Sequence, residues 1–453
     1  MRQTQAQSRD NDTRSNGDAV SAHGPATQQR WRVVAPTPKA LSAALRPRGL
    51  RTVLAFTAGR TAATLSRRLG MGSGAIIGGR VAMTVQPRAL PHLVRGTRVV
   101  MITGTNGKTT TTQMVAEALR ASGETVSNAT GANMLDGHVA ALMMRPQASY
   151  AALEVDELHL AQVTGQFEPA VIVLLNLTRD QLDRVGEIRT VEHSIRRALR
   201  QAPGAHVVAN SDDPNVVSAA ADHPNVTWIS GGGRWKDDAL NCPRCGAFLE
   251  NVDHDWRCSC GLSRPAADWT VDASGLTGPD GAHHELSLRL PGQVNRTNAA
   301  FALAAARELG GGIEAVLARI GSIDQAHGRY GTVVLAGRTV RLLLAKNPAS
   351  WLEMLDLVST HRRPLILVVN SQEADGYDVS WLWDIAFESL EDRGVTVAGE
   401  RALDLAVRLR YAGVRCEVAS SVPAALAAMS EDTPDVIANY TAFRDLFAKG
   451  TKP

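Results

Sequence analysis

Residues 97–112, Thr-Arg-Val-Val-Met-Ile-Thr-Gly-Thr-Asn-Gly-Lys-Thr-Thr-Thr-Thr, constrain the fold more than any other stretch of the chain. An apolar run of strand character meets two glycines, Gly104 and Gly107, and passes into a helix predicted over residues 113–122. A strand that feeds a glycine turn and then a helix N-terminus aims several backbone N–H groups, and the positive end of the helix dipole, at one point. Lys108 adds a full charge there, and a hydroxyl at Thr109 or Thr110 can ligate magnesium. Nucleotide phosphates bind in such a place. Ile102 stands where the longer Walker pattern needs its first glycine, so the motif is the shorter Gly104-Thr105-Asn106-Gly107-Lys108-Thr109-Thr110.

Alternation then sets the architecture. Residues 150–155 form a second apolar strand that ends in Glu154, Asp156 and Glu157, followed by His159. Carboxylates at the carboxyl end of a buried strand, beside a phosphate loop, suit a magnesium ligand, and Asp156 equally suits a helix cap. Residues 170–176 form a third strand that runs into the polar segment 177–184. Residues 205–210 form a fourth, and Ser211-Asp212-Asp213-Pro214 starts the next helix. Strand and helix in turn predict a doubly wound α/β sheet.

At 453 residues the chain exceeds one ordinary core, so two or three domains are expected. Residues 1–38 are polar and aperiodic, which predicts a disordered tail. Residues 41–69 carry Leu, Ala and Arg at helical spacing, with Arg46, Arg48, Arg51, Arg60, Arg67 and Arg68 making them basic. Packing on the next domain is the preferred account of that helix, and contact with an anionic lipid surface is the second. A net charge of +3 and an aromatic content of 4% argue against nucleic acid as the partner. No run is long and apolar enough for a membrane span and no signal-peptide core is present, so a cytoplasmic protein is expected.

Four of the five cysteines cluster. Cys242 and Cys245, then Cys258 and Cys260, form two knuckles around a short segment. Four thiolates close a tetrahedral zinc shell and leave no open position, so the predicted ribbon (about 234–264) is structural and His254 is not needed as a ligand. Cys416 falls inside a predicted strand and is expected to be a packed core residue. From residue 329 a second α/β unit is expected, with strands at 339–345, 364–370, 395–398, 414–418 and 435–439. Its most distinctive piece is residues 370–384, which carry Asp375, Asp378 and Asp384 and then an amphipathic helix with Trp381 and Trp383, capped by Asp378 or Ser380.

These motifs, in this order, resemble the Mur ligases: Thr-Gly-Thr-Asn-Gly-Lys-Thr-Thr at 103–110, Glu-Val-Asp-Glu at 154–157, Asn-Leu-Thr-Arg-Asp-Gln-Leu-Asp at 176–183 and Asn-Ser-Asp-Asp-Pro at 210–214. Asn295-Arg296-Thr297-Asn298-Ala299-Ala300 resembles the family's nucleotide-contacting asparagine motif. His327-Gly328-Arg329 resembles its step into the C-terminal domain. The resemblance spans roughly residues 50–450. It implies a central ATP-binding domain over 39–328, a C-terminal domain over 329–453, and ligation through an acyl phosphate. Asn298 and Arg329 would then join Gly104, Thr105, Asn106, Gly107, Lys108, Thr109 and Thr110 in holding ATP. Lys108, Glu154 and Glu157 would serve the chemistry, with magnesium held by Thr109 and by Glu154 or Glu157.

Two departures narrow the resemblance. No lysine lies between Lys108 and Lys236, where the amino-acid-adding members carry one, and Gln181 stands where many relatives have histidine. With the cysteine ribbon and the aspartate loop, the chain is similar to the branch that uses ammonia. That implies amidation of the α-carboxylate of D-glutamate in the lipid II stem peptide to D-isoglutamine. It also implies a separate glutaminase subunit of the GatD type as a heterodimeric partner, and contact with the inner membrane face through the substrate. Asp378 is the residue expected to reach the partner's catalytic triad, with Asp375 and Asp384 as alternates. The rival readings are a Mur-like or folylpolyglutamate-type amino-acid ligase, and a zinc-ribbon protein that uses ATP as a binding switch.

Overall fold

The computed structural model describes residues 49–69, 75–128, 131–179, 188–232, 237–252, 255–324, 330–429 and 433–451. The expected tail, Arg46, Arg48, Gln181, His254 and His327-Gly328-Arg329 lie outside the described residues. Three helices lead in: α1 (Leu50–Arg68), α2 (Ala75–Val85) and α3 (Ala89–Leu93). Strands and helices then alternate: β1 (Arg98–Thr103), α4 (Lys108–Arg120), β2 (Thr125–Ser127), α5 (Leu135–Met144), β3 (Tyr150–Glu154) and α6 (Leu160–Thr164). They continue as β4 (Val171–Leu174), α7 (Ile188–Gln201), β5 (His206–Asn210), α8 (Pro214–Ala220) and β6 (Val226–Ser230). A ribbon hairpin, β7 (Glu250–Val252) and β8 (Asp255–Arg257), precedes β9 (Trp269–Val271), β10 (Gly275–Thr277) and β11 (His283–Glu285). Helices α9 (Gln293–Glu308) and α10 (Ile313–Gly321) follow.

The larger sheet has nine strands in the order β11-β10-β9-β6-β5-β4-β1-β3-β2. Pairing is parallel from β2 across to β9 and antiparallel from β9 to β11. Its central strands are apolar on both faces because helices cover both. Val99 and Met101 of β1 point into one core with α5 and α7, while Val100 and Ile102 point into the other with α4 and α9. The strand order turns back beside β1, and the crevice at a switch point of this kind lies beyond the carboxyl ends of the strands. The doubly wound expectation is met. The helix expected from residue 113 begins at Lys108 instead, because left-handed Gly107 (φ 83°) ends the loop and Thr111 N–H already donates to Gly107 O (2.9 Å).

The second sheet contains β12 (Tyr330–Leu335), β13 (Arg338–Leu344), β14 (Leu365–Val368), β15 (Val395–Ala398), β16 (Cys416–Val418) and β17 (Asp435–Ala438), in the order β12-β13-β17-β14-β15-β16. Its helices are α11 (Pro348–Ser359), α12 (Ala402–Tyr411), α13 (Val422–Ala428) and α14 (Tyr440–Lys449). All five expected strands are present, and β12 is an additional one, joined to β13 by the tight Ala336-Gly337 turn. The amphipathic helix expected around Trp381 is only a 3₁₀ turn, Ser380–Asp384. Ile385 takes extended backbone (ψ 128°) and ends it after one turn, with Trp381 packed on Trp351 and Trp383 left exposed.

One buried ion pair staples this sheet. Arg341 on β13 donates from Nε and Nη2 to the two carboxylate oxygens of Asp435 on β17, at 2.6 and 2.7 Å, with both side chains buried. Removing one member strands the other charge in the core, which costs about 3–5 kcal/mol. Arg341→Met should therefore lower the melting temperature markedly, and adding Asp435→Leu should restore much of it. A thermal melt of the two variants checks both outcomes.

Candidate active site

The loop after β1 is bent by two glycines at positive φ, where any side chain would be strained and crowded. A Cβ on Gly104 (φ 135°) would stand 2.9 Å from Asn176 O, and one on Gly107 would stand 3.0 Å from Asn298 Oδ1. The loop is clamped to the end of β4. Thr105 N–H donates to Asn176 O (2.8 Å), Asn106 N–H to Asn176 Oδ1 (2.9 Å), and Asn176 Nδ2 returns a bond to Asn106 O (3.1 Å). Thr178 N–H donates to Thr105 Oγ1 (3.0 Å). Asn298, buried in α9, therefore covers Gly107, and Thr110 lies buried behind it.

The two glutamates expected to share one role stand in different places. Glu157 Oε2 pairs with Lys108 Nζ at 2.9 Å, and the same ammonium donates to Gly104 O (2.5 Å). Glu154 Oε2 instead accepts from Thr109 Oγ1 (2.8 Å). A hydroxyl and a carboxylate side by side form a hard-oxygen pair suited to magnesium, whereas Glu157 is the countercharge of a buried lysine. Glu154 is fixed through its backbone. Its N–H donates to Asn128 Oδ1 and its carbonyl accepts from Asn128 Nδ2, both at 2.8 Å. His138 Nε2 lies 2.8 Å from the same carbonyl, which can only accept, so Nε2 carries the proton; burial holds this histidine below its usual basicity. Asn128 and His138 escaped sequence reasoning, since neither lies in a motif.

A cleft of about 530 Å³ opens from Asn106 and Gly107 toward Asp212, Gln293, Asn298 and, on the smaller sheet, Lys346. Asn106, which lines this cleft, joins the two sheets through a reciprocal amide pair. Asn106 Nδ2 donates to Asn347 Oδ1 (3.2 Å), and Asn347 Nδ2 donates to Asn106 Oδ1 (3.1 Å). Asn347 also caps α11, accepting from Ser350 N–H at 3.0 Å. Asp213 caps α8 and holds Leu177 N–H; burial pushes its carboxyl up to about 6 against these backbone donors.

The four ribbon cysteines converge. Cys242 and Cys260 Sγ are 3.6 Å apart, Cys245 and Cys258 Sγ 3.4 Å, and all four lie within 4.8 Å of one another. Zinc–sulfur bonds of about 2.3 Å give tetrahedral edges of about 3.8 Å, so the set fits zinc. Burial pushes the Cys242 thiol up to about 12, while the Cys260 N–H pulls Cys258 down to about 7. Arg264, just past the second knuckle, donates from Nη2 to Asp212 Oδ1 (2.9 Å), and Asp212 Oδ2 accepts from Gly231 and Gly232 N–H (2.9 Å each). The ribbon is thus fastened to the wall of the cleft.

The three aspartates of the loop after β14 are also distinct. Asp375 accepts from Thr441 N–H (2.8 Å) and from Thr441 Oγ1, tying the loop to α14. Asp384 pairs with Arg179 at 3.3 Å, and Arg179 also binds Asp238. Asp378 is exposed and, among the described residues, bonds only Ser380, through its N–H (2.8 Å) and hydroxyl (3.0 Å), which hold the carboxyl below its ordinary range. Its neighbour Tyr377 is exposed, and at the end of the same loop Trp383 stands edge-on to exposed Tyr411 at 5.3 Å, with Val407 and Leu403 exposed one and two turns before Tyr411 on α12. Cys416 is half-buried in β16, packed against one of the two cores of the smaller sheet.

Residues 102–306 match the Mur ligase middle domain, and residues 344–443 match the MurT ligase C-terminal family. The Streptococcus pneumoniae protein named lipid II isoglutaminyl synthase (glutamine-hydrolyzing) subunit MurT is 30% identical over 400 residues, covering 81% of this chain and 88% of its own. The Staphylococcus aureus protein of the same name is 28% identical over 394 residues, covering 82% and 90%. Among solved structures, a pseudomurein peptide ligase type C from Methanothermus fervidus superposes with a TM-score of 0.61 at 20% identity, over 78% of this chain and 79% of that one. A MurF ligase from Thermotoga maritima in complex with ADP gives 0.59 at 15% identity, over 81% and 83%. At these identities the two structures share the fold.

Proposed function

This chain belongs to the MurT family of Mur ligases, and on that premise we propose that it amidates the α-carboxylate of D-glutamate in the stem peptide of lipid II. The observation that carries the reading is the placement of Lys108 and of the Thr109–Glu154 pair at the switch point of the larger sheet. A carboxylate resists amines because it is anionic and its oxygen leaves poorly. A carboxylate oxygen attacks the γ-phosphorus of ATP and ADP departs. Ammonia then attacks the acyl carbon, phosphate departs, and the amide nitrogen loses a proton to give D-isoglutamine. Lys108 stabilises charge on the transferring phosphoryl oxygens. Glu157 balances that lysine until the phosphates take over the pairing. Thr109 and Glu154 would hold magnesium, which would supply further charge neutralisation. Asn298 and Gly107 shape the nucleotide seat.

Ammonia is mostly protonated at neutral pH, and ammonium has no lone pair. Release from glutamine beside the acyl phosphate avoids that loss. The partner is a glutaminase subunit of the GatD type, seated on the exposed patch around Asp378, Trp383 and Tyr411, where aromatic anchors concentrate interface energy. The test is to mix the chain with such a subunit and measure glutamine-dependent ADP release. Turnover is expected with lipid II present, and its absence overturns the reading. An amino-acid acceptor that outperforms ammonia would favour the ligase rival instead.

The ribbon is structural. One zinc per chain is expected by atomic absorption. Cys242→Ser should lower both zinc occupancy and the melting temperature, the latter by at least about 5 °C, because metal binding here is folding free energy.

A further inference from the structure

The helices ahead of β1 present a surface that the reaction does not use. Helices α1 and α2 run antiparallel: Arg51 Nε donates to Val85 O (2.7 Å), Gln86 Nε2 to Thr52 Oγ1 (3.2 Å), and Gly59 and Gly78 meet where the helices cross. The packing expected of this segment is present, with Ala55, Phe56 and Gly59 buried. None of the described residues covers the opposite face of α1. Leu50, Val53, Leu54, Thr57, Thr61, Leu65 and Arg68 recur at helical spacing along it, and Leu50, Leu54 and Leu65 are 77%, 56% and 56% exposed. Leu69, Ile76 and Ile77 add exposed apolar groups at the hairpin's far end.

Charge decides what meets this face. Arg51, Arg60, Arg67, Arg68 and Arg80 lie between Leu50 and Val85, with no acidic residue among them; Asp136 of α5 offsets Arg80 at 2.9 Å, so the excess positive charge is that of the four arginines on α1. Arg60 is fixed on the flank by two bonds to Met143 O (3.0 and 2.6 Å). A second copy of the face would set these guanidinium groups against their own kind. An anionic lipid surface complements them and takes up the leucines. Among the described residues no helix is long and apolar enough to cross a membrane, so the contact is peripheral.

We propose that the outer face of α1, with the first turn of α2, docks the protein on an anionic membrane, Leu54 and Leu65 entering the interface and Arg67 and Arg68 meeting lipid phosphates. The docking extends the reading of a lipid-borne substrate but does not depend on it. The test uses the full chain with substrate-free vesicles of phosphatidylcholine, with and without phosphatidylglycerol, in a sedimentation assay. Binding is expected only to the anionic vesicles, and should weaken with salt. Leu54→Glu/Leu65→Glu and Arg67→Glu/Arg68→Glu should each weaken it by at least roughly tenfold, with melting temperature and ATP binding unchanged. Equal sedimentation of all three proteins, or equal binding to neutral vesicles, overturns the proposal. So does a dimer that Leu54→Glu/Leu65→Glu splits into monomers, which would assign the face to a second copy. A chain that binds vesicles but does not turn over lipid II would sink the substrate reading and leave the docking standing.

Discussion

Lys108→Met is expected to cut ATP-dependent amidation by about a thousandfold or more, while ADP release in the absence of acceptor falls with it. The ammonium is buried and aimed by Gly104 O, so the site pays no reorganisation to place its charge. Methionine keeps the length and apolar stem but no charge. The substitution also leaves Glu157 buried without its cation, which destabilises the fold independently of catalysis. A second variant separates the two effects. Lys108→Met/Glu157→Gln should recover the melting temperature and leave turnover at the single-variant level. Recovery of turnover along with stability would mean that Lys108 acts only as the partner of Glu157. Glu154→Gln should behave differently again, raising the magnesium concentration needed for half-maximal rate. Glu157→Gln should leave that concentration within about twofold, because Thr109 hydrogen-bonds Glu154 and not Glu157.

The same contrast marks where sequence reasoning reached and where it stopped. β1, β3, β4 and β5 were legible because strands buried on both faces must be continuous apolar runs, and the glycines after β1 announce a backbone that only glycine adopts. The short strands β2, β10 and β11 left no such trace. They are three residues each, and β11 is His-His-Glu on the sheet edge, where solvent permits any polar residue. The cysteine set was legible from spacing alone, whereas the division of labour between Glu154 and Glu157 was not. Glu154 ends β3 and Glu157 lies three positions on, and only the turn that begins at Asp156 sends one to Thr109 and the other to Lys108. The Asn106–Asn347 pair joins residues 241 positions apart. Its local signal, an asparagine before proline that caps a helix, says nothing about what the amide's other hydrogen bonds reach.

The second large effect is a split between nitrogen sources. Asp378→Asn, assayed in the complex with the glutaminase subunit, should lower glutamine-driven amidation by about 10²–10⁴-fold and leave amidation driven by added ammonium salt within about twofold. We propose this residue over the other two aspartates on their hydrogen bonds. Asp375 is consumed by Thr441 and Asp384 by Arg179, so neither can turn outward without breaking a tie that holds the loop. Among the described residues Asp378 bonds Ser380 alone, and its carboxylate stays ionised at the surface, as the proposed role of orienting a partner's histidine requires. Asparagine preserves the Ser380 N–H bond and the turn, so the loss would report charge and not folding. Asp375→Asn should instead depress both nitrogen sources together with the melting temperature, since it loosens the loop from α14. Were Asp378→Asn to lower both sources equally, its role would be structural. Were it to lower neither while Asp384→Asn lowered the glutamine arm alone, the carboxylate reaching the partner would be the one now held by Arg179, and docking would have to break that ion pair first.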